Sequence, residues 1–293
     1  MSPTRAAAAS WADLYRDAAD RLADRREARW MIEEVSGEPF GQARGAVPDK
    51  AGRGLAEMVR RRLEGEPLQY VIGSWPFRGI DLMVDRRVLI PRPETEQVVE
   101  VALHELDRLA AIGSAVTDGG RCRVVDLGTG SGAIALSMAH ERRGIEVWAV
   151  DSSPGALEVA RANLSGLAGF AATRVRIIEG DWWDGLPFDL RGSVDLVVSN
   201  PPYIAGHEMA GLEAQVREWE PRRALEAGER GTEAMEAILA GAAEWLAPTG
   251  VAVIELAPHQ AGAGRRLAAA AGFSEAEVHD DLAGRPRALV ARR

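Results

Sequence analysis

The tetrapeptide Asn200-Pro201-Pro202-Tyr203 places an amide side chain, two prolines and an aromatic ring at four consecutive positions. Consecutive prolines cannot donate to a sheet ladder, and each pushes the residue before it out of helical geometry. The segment is therefore expected to be stiff and extended, with unpaired backbone carbonyls. An asparagine oxygen and such a carbonyl can accept the two hydrogens of a planar NH2 group while a ring packs against it. Chemistry at one conjugated amino group is what this pattern suits. A proline-rich turn closing a strand would use the same residues, so the surrounding elements must decide.

The apolar run Val194–Ser199 reads as a buried strand delivering the tetrapeptide to its end. Upstream, Arg123–Leu127 reads as a short strand, followed by Gly128-Thr129-Gly130-Ser131-Gly132 and a helical run from Ala133 to Ala139. Strand, glycine turn and helix open a nucleotide-binding βαβ unit, in which glycines permit a tight turn and close approach of ligand to backbone. The next strand, Val147–Val150, ends at Asp151, whose carboxylate can accept from both ribose hydroxyls. Ser153 and Pro154 suit the cap and first turn of the following helix.

Gly128, Gly130 and Ala133 also satisfy the dinucleotide fingerprint of a nicotinamide dehydrogenase, with Asp151 about 20 residues on. Asp126 argues against it, since a carboxylate before the first glycine repels a pyrophosphate but not the cationic end of S-adenosylmethionine. Gly132 gives the G-x-G-x-G spacing commoner in methyltransferases. Asn200–Tyr203 breaks the tie, because hydride transfer has no evident use for it.

These motifs resemble the peptide chain release factor glutamine N5-methyltransferases, within the class I S-adenosylmethionine-dependent superfamily. The likeness extends through Gly65–Gly73, Leu89–Glu96, Asp126–Ala135, Asp181-Trp182, Ser199–Ile204 and Glu220–Leu225, covering approximately residues 27 to 290. It implies an α/β fold with a mostly parallel Rossmann-like sheet. A helical substrate-recognition domain over residues 1–74 and a β-hairpin linker over 75–91 would precede a methyltransferase domain over 92–293. It implies S-adenosyl-L-methionine held by Asp126, Gly128, Thr129, Gly130, Ser131, Gly132, Asp151, Asp181, Trp182 and Asn200, with Asn200, Pro201, Pro202 and Tyr203 at the reaction. The partner implied is a release factor, methylated on the glutamine of its Gly-Gly-Gln loop. One departure is visible: Glu255-Leu256-Ala257 stands where Glu-x-Gly is expected.

Composition bounds the alternatives. A net charge of −9 argues against a broad electrostatic grip on nucleic acid. The single cysteine, Cys122, excludes an internal disulfide and a cysteine-cluster metal site, and no metal is expected. No apolar stretch approaches membrane-spanning length, and residues 1–30 are too charged for a signal peptide. A cytoplasmic monomer without membrane or stable nucleic-acid association is expected.

Helical periodicity covers Ala6–Ala23, Glu27–Val35 before Gly37, and Asp49–Leu63. Arg60-Arg61-Arg62 reads as a solvated helix face rather than a binding patch. Alternation over residues 75–90 suggests a hairpin, Thr95–Leu109 a helix and 113–121 a surface loop. Val175–Glu179 is a third strand leading to Asp181 and Trp182, expected against adenine, while Trp183 reads as packing. Thr232–Leu246, the turn Pro248–Gly250, strand Val251–Glu255, helix Gln260–Ala271 and an antiparallel pair at Val278 and Ala288–Val290 complete the alternation. The histidines His104, His140, His207, His259 and His279 are scattered, and each reads as a surface residue. The strongest competing activity is methylation of the exocyclic amine of adenine in DNA or RNA, which presents the same planar NH2. A non-enzymatic binding module is disfavoured because both motifs are intact.

Overall fold

The computed structural model describes residues 10–113, 121–167 and 169–293. They divide into two compact units, one ending at Ser74 and the other beginning at Trp75. Most of the expected loop at 113–121, and the expected helix start at Ala6, lie outside the described residues.

The first unit is helical: α1 (Trp11–Leu22), α2 (Arg25–Ser36), α3 (Asp49–Leu63) and the short α4 (Leu68–Ile72). Ser10 and Asp13 form a capping box at α1, and Asp24 caps α2 by accepting from Arg26 and Glu27 amides. Gly37 ends α2 in the left-handed conformation. Met31, Ile32, Leu55, Val59, Leu68 and Val71 share one buried cluster. The arginine run of α3 is spent internally. Arg60 bridges Glu57 and Glu64, Arg61 grips Glu66, and Arg62 meets Glu27 at 2.8 Å. The α4 turn has no amphipathic period long enough to announce it.

The second unit opens with a hairpin, β1 (Ser74–Phe77) and β2 (Ile80–Met83). Arg78 and Gly79 both have positive φ, as a tight two-residue hairpin turn requires. Pairing stops earlier than the alternation suggested. The chain turns at Asp85, whose carbonyl accepts from the Val88 amide and whose carboxylate accepts from the Arg87 amide. Val88 and Ile90 are buried without being in a strand. Phe77 and Leu82 belong to the core of this unit.

A seven-stranded sheet comes next in the chain: β3 (Cys122–Leu127), β4 (Ile145–Asp151), β5 (Val175–Glu179), β6 (Val194–Ser199), β7 (Leu246–Glu255), β8 (Glu275–Asp280) and β9 (Pro286–Arg292). Its spatial order is β5-β4-β3-β6-β7-β9-β8, parallel except that β9 runs against both its neighbours. Helices α5 (Pro93–Ala111), α6 (Ala133–Glu141), α7 (Pro154–Gly166), α8 (Ala214–Trp219), α9 (Glu233–Trp245) and α10 (Ala261–Ala270) complete it.

Strand side chains alternate between two cores. Val124, Leu196, Val198, Val251 and Val253 face the cluster shared with α5 and α6. Val125, Val197, Ala252 and Ile254 face the one shared with α9 and Met235. Both faces are buried, which is why these strands read as continuous apolar runs. Each such valine or leucine contributes roughly 1.5–3 kcal/mol. The turn expected at Pro248–Gly250 is instead a bulge within β7, whose pairing shifts register between Val194 and Leu196. A Cβ at Gly250 would approach the Val194 carbonyl to 2.9 Å, so only glycine fits there.

The order of the chain reverses between β3 and β6. These neighbours align Asp126 with Val198, so the loops after them emerge side by side. In open α/β sheets a ligand crevice forms at this point.

Candidate active site

The cleft is lined by the chain entering α5 and by the loops that follow β3, β4, β5 and β6. The loop after β3 makes its turn with positive φ at Gly128 (75°), Gly130 (56°) and Gly132 (84°). The Gly128 and Thr129 amides both donate to the Val150 carbonyl at 2.9 Å, tying the loop to β4. A Cβ at Gly132 would come within 3.0 Å of Leu136, so this glycine serves helix packing. Gly128, Thr129, Gly130 and Ser131 line the cleft, whereas Gly132 does not.

Asp126 lies beneath this loop, fully buried, and does not line the cleft. Its Oδ2 accepts from Thr129 Oγ1 at 2.6 Å and from the Ala135 amide at 3.2 Å, bracing the loop and the start of α6. Oδ1 is buried without a hydrogen-bond partner among the described residues. Burial pushes its carboxyl up to about 7, against the hydrogen bonds from Thr129 and Ala135.

Asp151, at the end of β4, lines the cleft and organises two loops at once. Oδ2 accepts from the Gly130 amide at 2.9 Å and Oδ1 from the Ser153 amide at 2.8 Å. Ser153 caps α7, accepting from the Ala156 amide. After β5, Asp181 and Trp182 line the same cleft. Trp182 adopts φ 51°, and its ring passes close to Gly128. Trp183 enters the core instead. It stacks on Trp245 with centroids 5.9 Å apart and donates from Nε1 to the Ile238 carbonyl at 3.1 Å.

Asn200 and Pro202 line the cleft, while Tyr203 lines a second hollow. The two hollows share Leu89, Asn200 and Ala224. Pro201 is buried behind them. Burial, reinforced by the nearby Glu255 carboxylate, pushes the Tyr203 phenol up to about 12, so it stays protonated at neutral pH. The five histidines are all exposed, and none lines either hollow.

Several residues acquire a place here that their types did not announce. Thr95, in the first turn of α5, accepts from Asn200 Nδ2 at 3.1 Å and donates to Glu255 Oε2 at 2.7 Å. Gln260 Nε2 donates to the Tyr203 carbonyl. Glu220, buried, accepts from the Ile90 amide and pairs with Arg92, joining the chain before α5 to the chain after α8. Arg223 donates to Ser152 Oγ at 3.2 Å across the cleft mouth. Thr95, Arg92 and Glu220 stood within the motifs that carry the family likeness. Gln260 had no local signal. Ala257 has φ −72°, so the position where glycine is expected demands no left-handed backbone and alanine fits.

A switch point carrying a glycine loop on β3, an acidic residue ending β4 and Asn-Pro-Pro-Tyr after β6 defines a Rossmann-like methyltransferase. The family model described as the methyltransferase small domain matches residues 112–217, and the PrmC N-terminal domain matches residues 13–73. The release factor glutamine methyltransferase of Burkholderia pseudomallei is 40% identical over 298 residues, spanning 100% of this chain and 99% of that protein. Those of Moorella thermoacetica and Salmonella typhimurium are 42% and 36% identical, over 84% and 93% of this chain and 82% and 94% of theirs. The chain belongs to the release factor glutamine methyltransferase family. Among solved structures, the hMettl16 catalytic domain in complex with MAT2A 3′UTR hairpin 1 matches with a TM-score of 0.56. That match covers 95% of this chain and 90% of that one at 13% identity, a likeness of fold alone. Among the described residues, no helix is long and apolar enough to cross a membrane.

Proposed function

We propose that this chain methylates the side-chain amide nitrogen of the glutamine in the Gly-Gly-Gln loop of a peptide chain release factor, using S-adenosylmethionine. The observation that carries the reading is the position of Asn200, which lines both hollows at the point where they meet. The helical unit before Ser74 is assigned to recognition of the release factor. On this reading the enzyme works in the cytoplasm, where translation terminates, as a monomer.

The donor set of the larger hollow suits the cosubstrate. Asp151 offers carboxylate lone pairs to ribose hydroxyls, the glycine loop brings open backbone beside them, and Asp181 with Trp182 offers an acceptor and a ring face to adenine. When bound, S-adenosylmethionine supplies an electrophilic methyl group on a sulfonium.

The chain's own residues must solve a problem of orientation. An amide nitrogen is a poor nucleophile because its lone pair is delocalised, and it does not deprotonate near neutral pH. Asn200 Oδ1 and the Pro201 carbonyl accept its two hydrogens, which leaves the π density of nitrogen pointing at the donor. Those bonds strengthen as positive charge develops on nitrogen. Holding the reacting atoms roughly 3–3.5 Å apart supplies much of the remaining rate. Tyr203 packs beside the amide and excludes water. No general base is needed, since the cationic methylated amide loses its proton readily.

The test is to incubate purified protein with labelled S-adenosylmethionine and either a release factor or adenine-containing nucleic acid. Mass spectrometry should find one added methyl on the Gly-Gly-Gln glutamine. Label in nucleic acid alone would overturn the reading.

A further inference from the structure

Asn200 can act as an acceptor only if its amide faces the right way. The two orientations are nearly isosteric, differing by a half-turn that exchanges oxygen and NH2. In the wrong one, NH2 would confront NH2 and the methyl acceptor would be repelled. Something behind Asn200 has to break that symmetry.

A threonine hydroxyl has one proton and can accept at its oxygen. The Thr95 proton is directed at Glu255 Oε2, 2.7 Å away, and an ionised carboxylate can only accept. Thr95 Oγ1 is then left purely as an acceptor on its other side, where Asn200 Nδ2 stands at 3.1 Å. The Asn200 NH2 must turn toward Thr95, which leaves Oδ1 on the opposite branch. Thr95 and Glu255 are 3% and 1% exposed, Thr95 touching the cleft wall, so few waters compete with this sequence of donors. Burial pushes the Glu255 carboxyl up to about 7, against the Thr95 hydrogen bond and Arg287 Nη1 at 3.9 Å from Oε1, and the ionised form is the one that sets this order. A buried, loosely paired carboxylate is expensive, and an apolar replacement would serve stability as well. Its place behind Asn200 gives it a different use.

We propose that Glu255 and Thr95 are positioning residues that set the polarity of the Asn200 amide, so that its oxygen faces the group to be methylated. The proposal rests on the reading of Asn200 as the acceptor for the substrate amide. It separates two properties that one side chain would otherwise confound, the presence of Asn200 and its direction.

The experiment compares Thr95→Val, Thr95→Ser and Glu255→Gln, alone and with Asn200→Ala, at saturating release factor and S-adenosylmethionine. Thr95→Val keeps the shape and removes the hydroxyl. Glu255→Gln keeps the volume and directs its oxygen to Arg287, offering NH2 to Thr95. Both should lower kcat about 10- to 100-fold, with a smaller change in the calorimetric Kd for S-adenosylmethionine, whose cleft Thr95 also lines. Thr95→Ser should restore most of the rate. In the Asn200→Ala background, Thr95→Val should cause no further loss, because there is no amide left to orient. A wild-type kcat for Thr95→Val, or the same fold loss in both backgrounds, would overturn the relay. Should Thr95→Val fail to fold, Glu255→Gln decides on the same readouts. Wild-type turnover by Asn200→Ala would instead defeat the underlying reading of Asn200, and the relay with it.

Discussion

Gln260 donates from Nε2 to the Tyr203 carbonyl at 2.9 Å, across 57 positions of chain. The same amide donates to the Gly231 carbonyl at 2.8 Å and accepts at Oε1 from the Ala257 amide at 3.1 Å. One buried side chain thereby joins the loops after β6 and β7. Gln260→Leu would leave those three backbone groups unsatisfied, costing about 3–9 kcal/mol in total. Urea unfolding should show that loss, and kcat should fall with it. An unchanged unfolding midpoint would remove Gln260 from this role.

Gly231 has φ +77°, and a Cβ there would lie 2.8 Å from the Tyr203 carbonyl oxygen. Gly231→Ala combines left-handed strain with a clash against Asn-Pro-Pro-Tyr, of the order of 1–3 kcal/mol. The expected signature is a lower kcat with an almost unaltered Kd for S-adenosylmethionine. Equal damage to both would mean that the substitution spreads through the whole unit.

Asp151 both lines the cleft and holds the Gly130 amide. If Asp151 accepts from the ribose hydroxyls as proposed, Asp151→Ala should weaken S-adenosylmethionine about 10- to 100-fold by calorimetry. Saturating cosubstrate should recover much of kcat. Unaltered affinity would exclude the ribose role.

Two buried carboxyls make pH informative. Burial pushes Asp126 and Glu255 each up to about 7, in the latter against the Thr95 hydrogen bond and Arg287. A folded-state value above the unfolded one means that the native state binds protons more tightly. Their contribution to stability is full below the ordinary carboxylate range and is lost as pH rises through about 7. Unfolding free energy should therefore decline between about pH 4 and about pH 7, and Asp126→Asn should flatten part of that decline. Turnover at saturating substrates should do the reverse, rising through about pH 7 as Glu255 ionises and can no longer donate a proton to Thr95 Oγ1. The charged groups around Glu255 are Arg287, Arg92 and Glu94, beside the Tyr203 phenol. Glu255→Gln should abolish the rising limb, whereas Asp126→Asn should keep it.

The parallel core was legible because its strands are buried on both faces. Val124-Val125 and Leu196-Val197-Val198 are apolar without interruption, and glycines punctuate the loop after β3. Positions along the switch-point loops were legible for the same reason, since turn chemistry is local. Directions were not. Asp126 falls beneath its loop rather than beside the cleft, which only its hydrogen bonds to Thr129 and Ala135 reveal. Thr95 and Asn200 are 105 positions apart and Thr95 and Glu255 160 apart, so no window of sequence contains their contact. The bulge in β7 was hidden because Pro248-Thr249-Gly250 has the composition of an ordinary turn.

Two hollows that share a wall at Asn200 also constrain kinetics. On the proposed reading the donor occupies the larger hollow and the acceptor the smaller one, and the methyl passes directly from one to the other beside Asn200. Initial-rate plots for the two reactants should intersect, as they do for a ternary complex, rather than run parallel as in a ping-pong exchange.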